Sequence, residues 1–374
     1  MKAIGTGSER RDIAVIGYFG QGNFGDDLLS SYILELIHQT VSLDRVVVSA
    51  PEGSYLERWF PGIRCQPAEQ ILCPSNNDLK KVIFGGGGQF FSFPPVNFRN
   101  LWGFLYCPAF RYWRMLGSLG WKRMNTYAFC IGVGPLEGFG ARWVTRELFS
   151  HFNEISVRDD VSKEILNKLK INNVRVATDP SIRLANTFCQ ANRHNLKTVG
   201  IVFRRWPRVP DISGLIDELL AAAKILHSKG WQVEFISLQS KYDLEATRKI
   251  ESHGEHVRSW EAETGFIPEF CRYLTSFSVL ASMRAHGVIL GLLSGVPTIS
   301  LRIAPKLEIT AAKFGNPNNV IPLESNAEEI ASSIEQVKAS HSDECEWQTE
   351  FRALEIESQR LRDWIKPDCP IDSV

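Results

Sequence analysis

Residues 281–306 read ASMRAHGVILGLLSGVPTISLRIAPK, and this stretch decides the fold. Val279-Leu280-Ala281 closes an apolar strand and Ser282 to His286 reads as a polar loop. An apolar run continues to Leu293, and Ser294-Gly295 turns the chain into Val296-Pro297-Thr298-Ile299-Ser300-Leu301. A strand, a helix and a second strand in so short a span indicate a parallel βαβ unit. The unit carries Arg284, His286 and Lys306, a dense supply of anion-binding and proton-transfer groups. Side chains two apart on an extended loop share a side, so Arg284 and His286 can face one ligand at a helix N-terminus, where backbone N–H groups favour an anion. The plainer alternative pairs Arg284 with a surface carboxylate and makes His286 a helix-cap histidine.

The same alternation runs outward in both directions. Apolar strands are expected at residues 13–17, 45–49, 81–84, 126–131 and 154–157, with helical periodicity at 28–38 and 160–169. A second series follows: strand 198–203, helix 212–228, strand 232–237, helix 244–253, then the elements around Val279, Ile289 and Thr298. The join at 186–196 is polar and without periodicity. The expected organisation is α/β, with an N-terminal domain at 12–187 and a C-terminal domain at 196–340. A C-terminal amphipathic helix at 343–366 carries Trp347, Phe351, Leu354, Ile356, Leu361 and Trp364 on roughly one side. Ligands of open parallel sheets bind at the C-terminal ends of the strands, so a cleft there is the expected site.

The chain of 374 residues has room for two domains, and its 44% hydrophobic content is that of a globular protein. Forty-two basic residues balance 42 acidic ones, so no overall field draws the protein to nucleic acid, and any basic site is local. Eight cysteines lie scattered without a CxxC pair or zinc-finger spacing. That pattern indicates neither a disulfide framework nor a metal, and reduced thiols fit a cytoplasmic location. The first 12 residues are polar rather than a signal peptide, and no apolar run approaches a membrane span. The oligomeric state is not legible.

Several other segments could carry chemistry. Gly85 to Gly88 follow an apolar strand and allow close backbone approach at Gly86 and Gly87. They form neither a phosphate-binding Walker loop nor a dinucleotide fingerprint. Gly134 sits in a second glycine turn. Asn23 with Asp26 or Asp27 opens a helix, where capping competes with acceptor binding, and Asp26 is the candidate base for a hydroxyl. Arg158 follows a strand and either reaches a ligand or pairs with Asp159 or Asp160. Arg204 and Arg205 follow another strand, with Arg204 preferred for the cleft. Lys306, or Arg302 nearby, is a further candidate cation, against the reading of a solvated loop lysine. Residues 89–121 interleave Phe, Tyr and Trp with Arg99, Arg111 and Arg114. Core packing accounts for most of these rings, and stacking on sugars or contact with a membrane surface for the rest.

Ser282-Met283-Arg284-Ala285-His286-Gly287, then Gly295-Val296-Pro297 and Pro305-Lys306, together resemble the polysaccharide pyruvyl transferase family. The resemblance extends through Val15-Ile16-Gly17-Tyr18-Phe19-Gly20-Gln21-Gly22-Asn23-Phe24-Gly25-Asp26-Asp27, the glycine runs 85–88 and 131–135, Ser156-Val157-Arg158-Asp159, Thr178-Asp179-Pro180-Ser181, Val202-Phe203-Arg204-Arg205-Trp206 and Leu238-Gln239. Arg205 departs from the family pattern, which more often has a small residue or proline there. The resemblance implies two Rossmann-like domains in a glycosyltransferase-B-like arrangement. It implies transfer of a pyruvyl group from phosphoenolpyruvate to a hexose of a polysaccharide or its lipid-linked repeat unit, as a ketal, with no further cofactor. It also implies roles: His286 as general acid, and Arg284, Arg204, Arg158 and Lys306 as donor-binding cations. Asp26, Asn23, Gly86, Gly87 and Gly134 would then lie on the acceptor or backbone-loop side; peripheral contact at the inner face of the cytoplasmic membrane rests instead on the aromatic tract 89–121.

Two rivals stand against this reading. A nucleotide-sugar-dependent glycosyltransferase shares the architecture, but no Asp-x-Asp motif is present in the second domain. A catalytically silent carbohydrate-binding or scaffold protein is disfavoured because His286 and its cations are intact.

Overall fold

The computed structural model describes residues 11–92, 107–119, 124–187, 197–205, 212–303, 305–314, 318–337 and 344–366. The chain divides into two compact units. In the first, parallel strands β1 (Ile13–Ile16), β2 (Val46–Ser49), β3 (Arg64–Gln66), β4 (Lys81–Gly85), β5 (Gly88–Ser92), β6 (Asn125–Leu136), β7 (Glu154–Val157) and β8 (Arg175–Val176) pair in the order β3-β2-β1-β4-β6-β7-β8. Strand β5 lies off this path against β6. The central strands are near-continuous apolar runs because helices cover parallel sheets on both faces, and β1, β2 and β4 are buried throughout. Strand β6 is longer than its apolar run predicts and carries a register irregularity between Ala128 and Ile131, around the positive φ of Cys130.

The second unit holds β9 (Thr198–Phe203), β10 (Gln232–Ser237), β11 (Val257–Ser259), β12 (Val279–Ser282), β13 (Thr298–Leu301) and β14 (Val320–Ile321), all parallel, in the order β11-β10-β9-β12-β13-β14. Counted within the unit this is 3-2-1-4-5-6, the doubly wound order whose direction reverses between its first and fourth strands. Those are β9 and β12, so their C-terminal ends form the crevice where this topology binds ligands.

The grouping departs from the expected domain bounds in three places, the first being that the main segment of the second unit already begins at Ser181. Gly22–Leu28, which includes the first turn of helix Phe24–His38, belongs to the second unit. Phe24 packs edge-on to Trp260 and Phe270, its N–H donates to the Leu238 carbonyl (2.9 Å), and Asp27 accepts a hydrogen bond from Trp260 Nε1 (2.7 Å). The C-terminal helix spans Glu344–Ile365, and from Arg352 onward it groups with the first unit. Lys81 Nζ donates to the carbonyls of Trp364, Ile365 and Lys366, which satisfies the orphan acceptors of the helix end. Glu357, 3% exposed, accepts a bidentate pair of bonds from Arg175 (3.0 Å each) and one from the Tyr127 hydroxyl.

Burial opposes the charge on Glu357, yet the hydrogen bond from Arg175 prevails and holds the carboxyl below its ordinary range. A depressed carboxyl pKa contributes stability that is present above the unfolded value and lost as pH falls through the folded one. Glu357→Gln should therefore cost about 2–4 kcal/mol at neutral pH by breaking a mostly buried pair. Denaturant titration should show that cost shrinking as pH falls from the ordinary carboxylate range through the lower pKa of the folded Glu357. Equal stability of the two proteins at pH 7 would remove the pair as an anchor of the C-terminal helix.

Candidate functional site

The register between the two central strands of the second sheet sets Val202 opposite Ser282. Arg204 and Arg284 each follow two residues later, so the chain brings both to the same end of adjacent parallel strands. Arg284 is extended (φ −121°, ψ 133°) and forms the N-cap of helix Ala285–Leu293. Ser282 Oγ fixes it there, accepting from the Arg284 N–H (3.0 Å) and donating to its carbonyl (2.8 Å). Residues 285 and 286, expected in the loop, are instead the first turn of the helix, so His286 projects from a helical position beside the cap.

Arg284 is 5% exposed, and its partner is a fully buried carboxylate rather than a surface one: Nη2 lies 2.7 Å from Asp243 Oδ2. Its Nη1 donates to Gln239 Oε1 at 3.4 Å, while its buried Nε has no acceptor among the described residues. Asp243 is itself held by Ser237 Oγ (2.9 Å) and by the Arg205 N–H (2.9 Å). Beside it, Arg204 is pushed down to about 9, first by desolvation and then by the Arg284 charge. Asp243, Tyr242 and Asp26 pull the other way without restoring its ordinary value. Of the two adjacent arginines, then, Arg204 joins the cluster, whereas the exposed Arg205 side chain pairs with Glu245 (3.1 Å).

His286 is seated on the first turn of helix Phe24–His38. A Cβ built on Gly25 would lie 1.9 Å from His286 Nδ1, so only glycine permits the imidazole to rest on this backbone. Asn23 Oδ1 accepts from the Gly25 N–H (3.3 Å), and the Asn23 carbonyl from the Asp27 N–H (2.9 Å), so Asn23 organises that turn. Asp27 is fully buried against Trp260, which leaves half-exposed Asp26 as the carboxylate in the field of Arg204.

The remaining expected residues fall elsewhere. Arg302 is an exposed partner of Glu308 (2.7 Å). Lys306 lies in helix Pro305–Lys313, but its side chain is outside the described residues, as are Arg99 and Trp121 of the aromatic tract. In the first unit, Gly86, Gly87 and Gly134 all have positive φ, and Gln89 Nε2 ties down the first loop by donating to the carbonyls of Gly85 and Gly86 (2.8 Å each). Arg158 lies over Gly132, where a Cβ would come within 2.9 Å of its Nε. It reaches both Asp159 and Asp179 at 3.3 Å. Among the described residues no group of three His, Cys, Asp or Glu is arranged to hold a metal ion, and no helix is long and apolar enough to cross a membrane.

Sequence reading named Gln239 within the Leu238-Gln239 segment without giving it a role, and passed over Asp243, Trp260 and the steric role of Gly25. The available signal was a Gln239-to-Asp243 spacing of four at a helix start directly after a central parallel strand, which places two polar groups where the crevice forms.

Fold and site together define an α/β protein of two Rossmann-like units, glycosyltransferase-B-like in class, with an arginine-rich site at the switch point of the second. Solved structures share this fold: a UDP-N-acetylglucosamine 2-epimerase from Rickettsia bellii has a TM-score of 0.58 at 9% identity over 94% of this chain and 96% of its own. The Methanocaldococcus jannaschii UDP-GlcNAc 2-epimerase, solved with UDP-GlcNAc and UDP, has a TM-score of 0.55 at 12% identity, covering 92% and 99%. Anabaena Alr3699/HepE, solved with UDP and glucose, has 0.52 at 14% identity, covering 95% and 97%. The sequence profile of the polysaccharide pyruvyl transferase family matches residues 23–305, and the chain belongs to that family. No curated relative matches it in sequence.

Gly25→Ala should mimic loss of the histidine without touching it. With His286 as the general acid proposed below, the expected result is at least a hundredfold fall in kcat, because a displacement near 1 Å at a reacting group costs about that much, with melting temperature close to wild type. Unchanged kcat would show that the seat does not position His286.

Proposed function

We propose that the chain is a phosphoenolpyruvate-dependent pyruvyl transferase that forms a cyclic ketal on a hexose of a polysaccharide or its lipid-linked repeat unit. The observation that carries this is the pair of neighbouring arginines, Arg204 and Arg284, at the ends of β9 and β12 with His286 on the adjoining helical turn. Desolvation and the neighbouring Arg284 charge depress Arg204, and an anion restores it; a donor with a carboxylate and a phosphate supplies two anionic groups.

In this reading His286 delivers a proton to the donor's methylene carbon, the general-acid role that histidine fills most often. The adjacent carbon becomes electrophilic, one sugar hydroxyl adds, and the bond to the phosphate oxygen breaks. A second hydroxyl of the same sugar closes the ring. Of the two hydroxyl protons released, one replaces that given by His286 and the other leaves with phosphate. Asp26, beside Arg204, is the candidate base for the first hydroxyl, and the glycine loops with Asn23 serve the acceptor side. Arg158 and Lys306 are assigned to the donor's remaining charge. No metal or further cofactor is required, because arginine meets the anionic charge, and the reaction is placed in the cytoplasm.

His286→Ala should lower kcat by more than a hundredfold, the usual range for a general acid being about 10²–10⁴, while phosphoenolpyruvate still binds by calorimetry. Wild-type turnover in that variant would remove His286 from the chemistry.

Donor affinity should be governed by Arg204. Arg204→Ala should raise the phosphoenolpyruvate Kd about tenfold or more, the loss of a charge-assisted contact worth roughly 1.5–3 kcal/mol. The anion requires the charged guanidinium, so wild-type affinity should hold below pH 9 and weaken above it, by up to about tenfold per unit. A pH-independent Kd through pH 10 would contradict the assignment. UDP-glucose binding in place of phosphoenolpyruvate would favour the nucleotide-sugar rival.

A further inference from the structure

We propose that the outer face shared by helices Pro108–Leu119 and Phe139–Ser150 docks on an anionic phospholipid surface. On the second helix Phe139, Arg142, Trp143 and Arg146 are all exposed and stand at i, i+3, i+4 and i+7, which is one continuous stripe. Phe139 is 80% exposed and Trp143 44%. The opposite side of the same helix is already satisfied, with Ala141, Val144, Leu148 and Phe149 buried in the first unit's core. The outward rings are therefore surplus to folding.

The neighbouring helix extends the patch. Trp113 meets Trp143 edge-on at 5.9 Å, and Phe110 stacks on Trp113 at 6.3 Å. This helix exposes Arg111 and Arg114 and contains no acidic residue; Arg111 engages Glu69. In a chain with 42 basic and 42 acidic residues, such interleaving of rings and guanidinium groups is a local departure from balance.

The chemistry of this face selects its occupant. Indole and phenyl rings partition into the headgroup boundary, and arginines there reach lipid phosphates. A second copy of the chain fits poorly, because an isologous contact would bring the basic stripe of Arg142 and Arg146 against the same basic stripe of the other copy. The proposal does not depend on the identity of the donor, but it places a lipid-linked acceptor within reach of the enzyme that carries it.

Co-sedimentation of the full chain with vesicles tests it without donor or acceptor present. Binding is expected to vesicles of phosphatidylcholine with phosphatidylglycerol, little to phosphatidylcholine alone, and it should weaken with added salt. Arg142→Glu should lower the partition coefficient by at least about fivefold, the usual contribution of one basic residue near an anionic surface. Phe139→Ser with Trp143→Ser should lower it roughly tenfold or more through lost apolar burial, with phosphoenolpyruvate affinity and melting temperature as in wild type. Absence of binding to anionic vesicles, or binding that both variants retain, would overturn the proposal. So would concentration-dependent self-association in solution that the double variant abolishes. None of these results bears on pyruvyl transfer to a soluble acceptor, so failure here and failure of the catalytic reading are separable.

Discussion

Burying two guanidinium groups side by side is the constraint around which the second unit is organised. Each loses several kcal/mol of hydration on leaving water, and their mutual repulsion adds to that cost. The β9–β12 register makes the juxtaposition unavoidable, because both arginines stand two residues beyond a paired position. Asp243 offsets the cost for Arg284, and its own burial is offset by Ser237 Oγ and the Arg205 N–H. The end of β10, the start of helix Ser240–Ser252 and the turn after β9 therefore share one carboxylate. Desolvation and the Arg284 charge together hold Arg204 below its ordinary range, against the pull of Asp243, Tyr242 and Asp26.

The histidine depends on a second set of contacts that begins far away in the chain. Trp260 holds Asp27, and the Phe24 ring fills the space between Trp260 and Phe270, so the first turn of helix Phe24–His38 becomes part of the second unit. Gly25 then offers bare backbone to the imidazole. Apolar packing sets the position of this turn, and the polar groups Asn23 and Asp26 are carried into place by it.

The βαβ pattern was legible because parallel strands are continuous apolar runs, and every long strand predicted at residues 13–17, 81–84, 198–203 and 232–237 has its counterpart. Short strands such as β3, β8, β11 and β14 were not, since two or three residues carry no usable periodicity. Arg284 and His286 stood out by their spacing. Asp243 and Trp260 did not, because their partners lie 41 and 233 residues away and a buried ion pair or an indole clamp leaves no local trace. The membership of Gly22–Leu28 was hidden for the same reason: tertiary packing, not sequence proximity, assigns a turn to a core.

The two units solve one topological problem with different charges. Both place an arginine just after a parallel strand, Arg158 after β7 and Arg204 after β9. Arg158 has two carboxylates, Asp159 and Asp179, at 3.3 Å, whereas Arg284 pairs with the fully buried Asp243 and Arg204 lies in the field of Asp243 and Asp26. The backbone architecture does not dictate this difference; a few side chains at strand ends do. That is why proteins solved with UDP and UDP-GlcNAc share the fold at 12–14% identity, and why the family relationship of this chain is read from its sequence rather than from its fold.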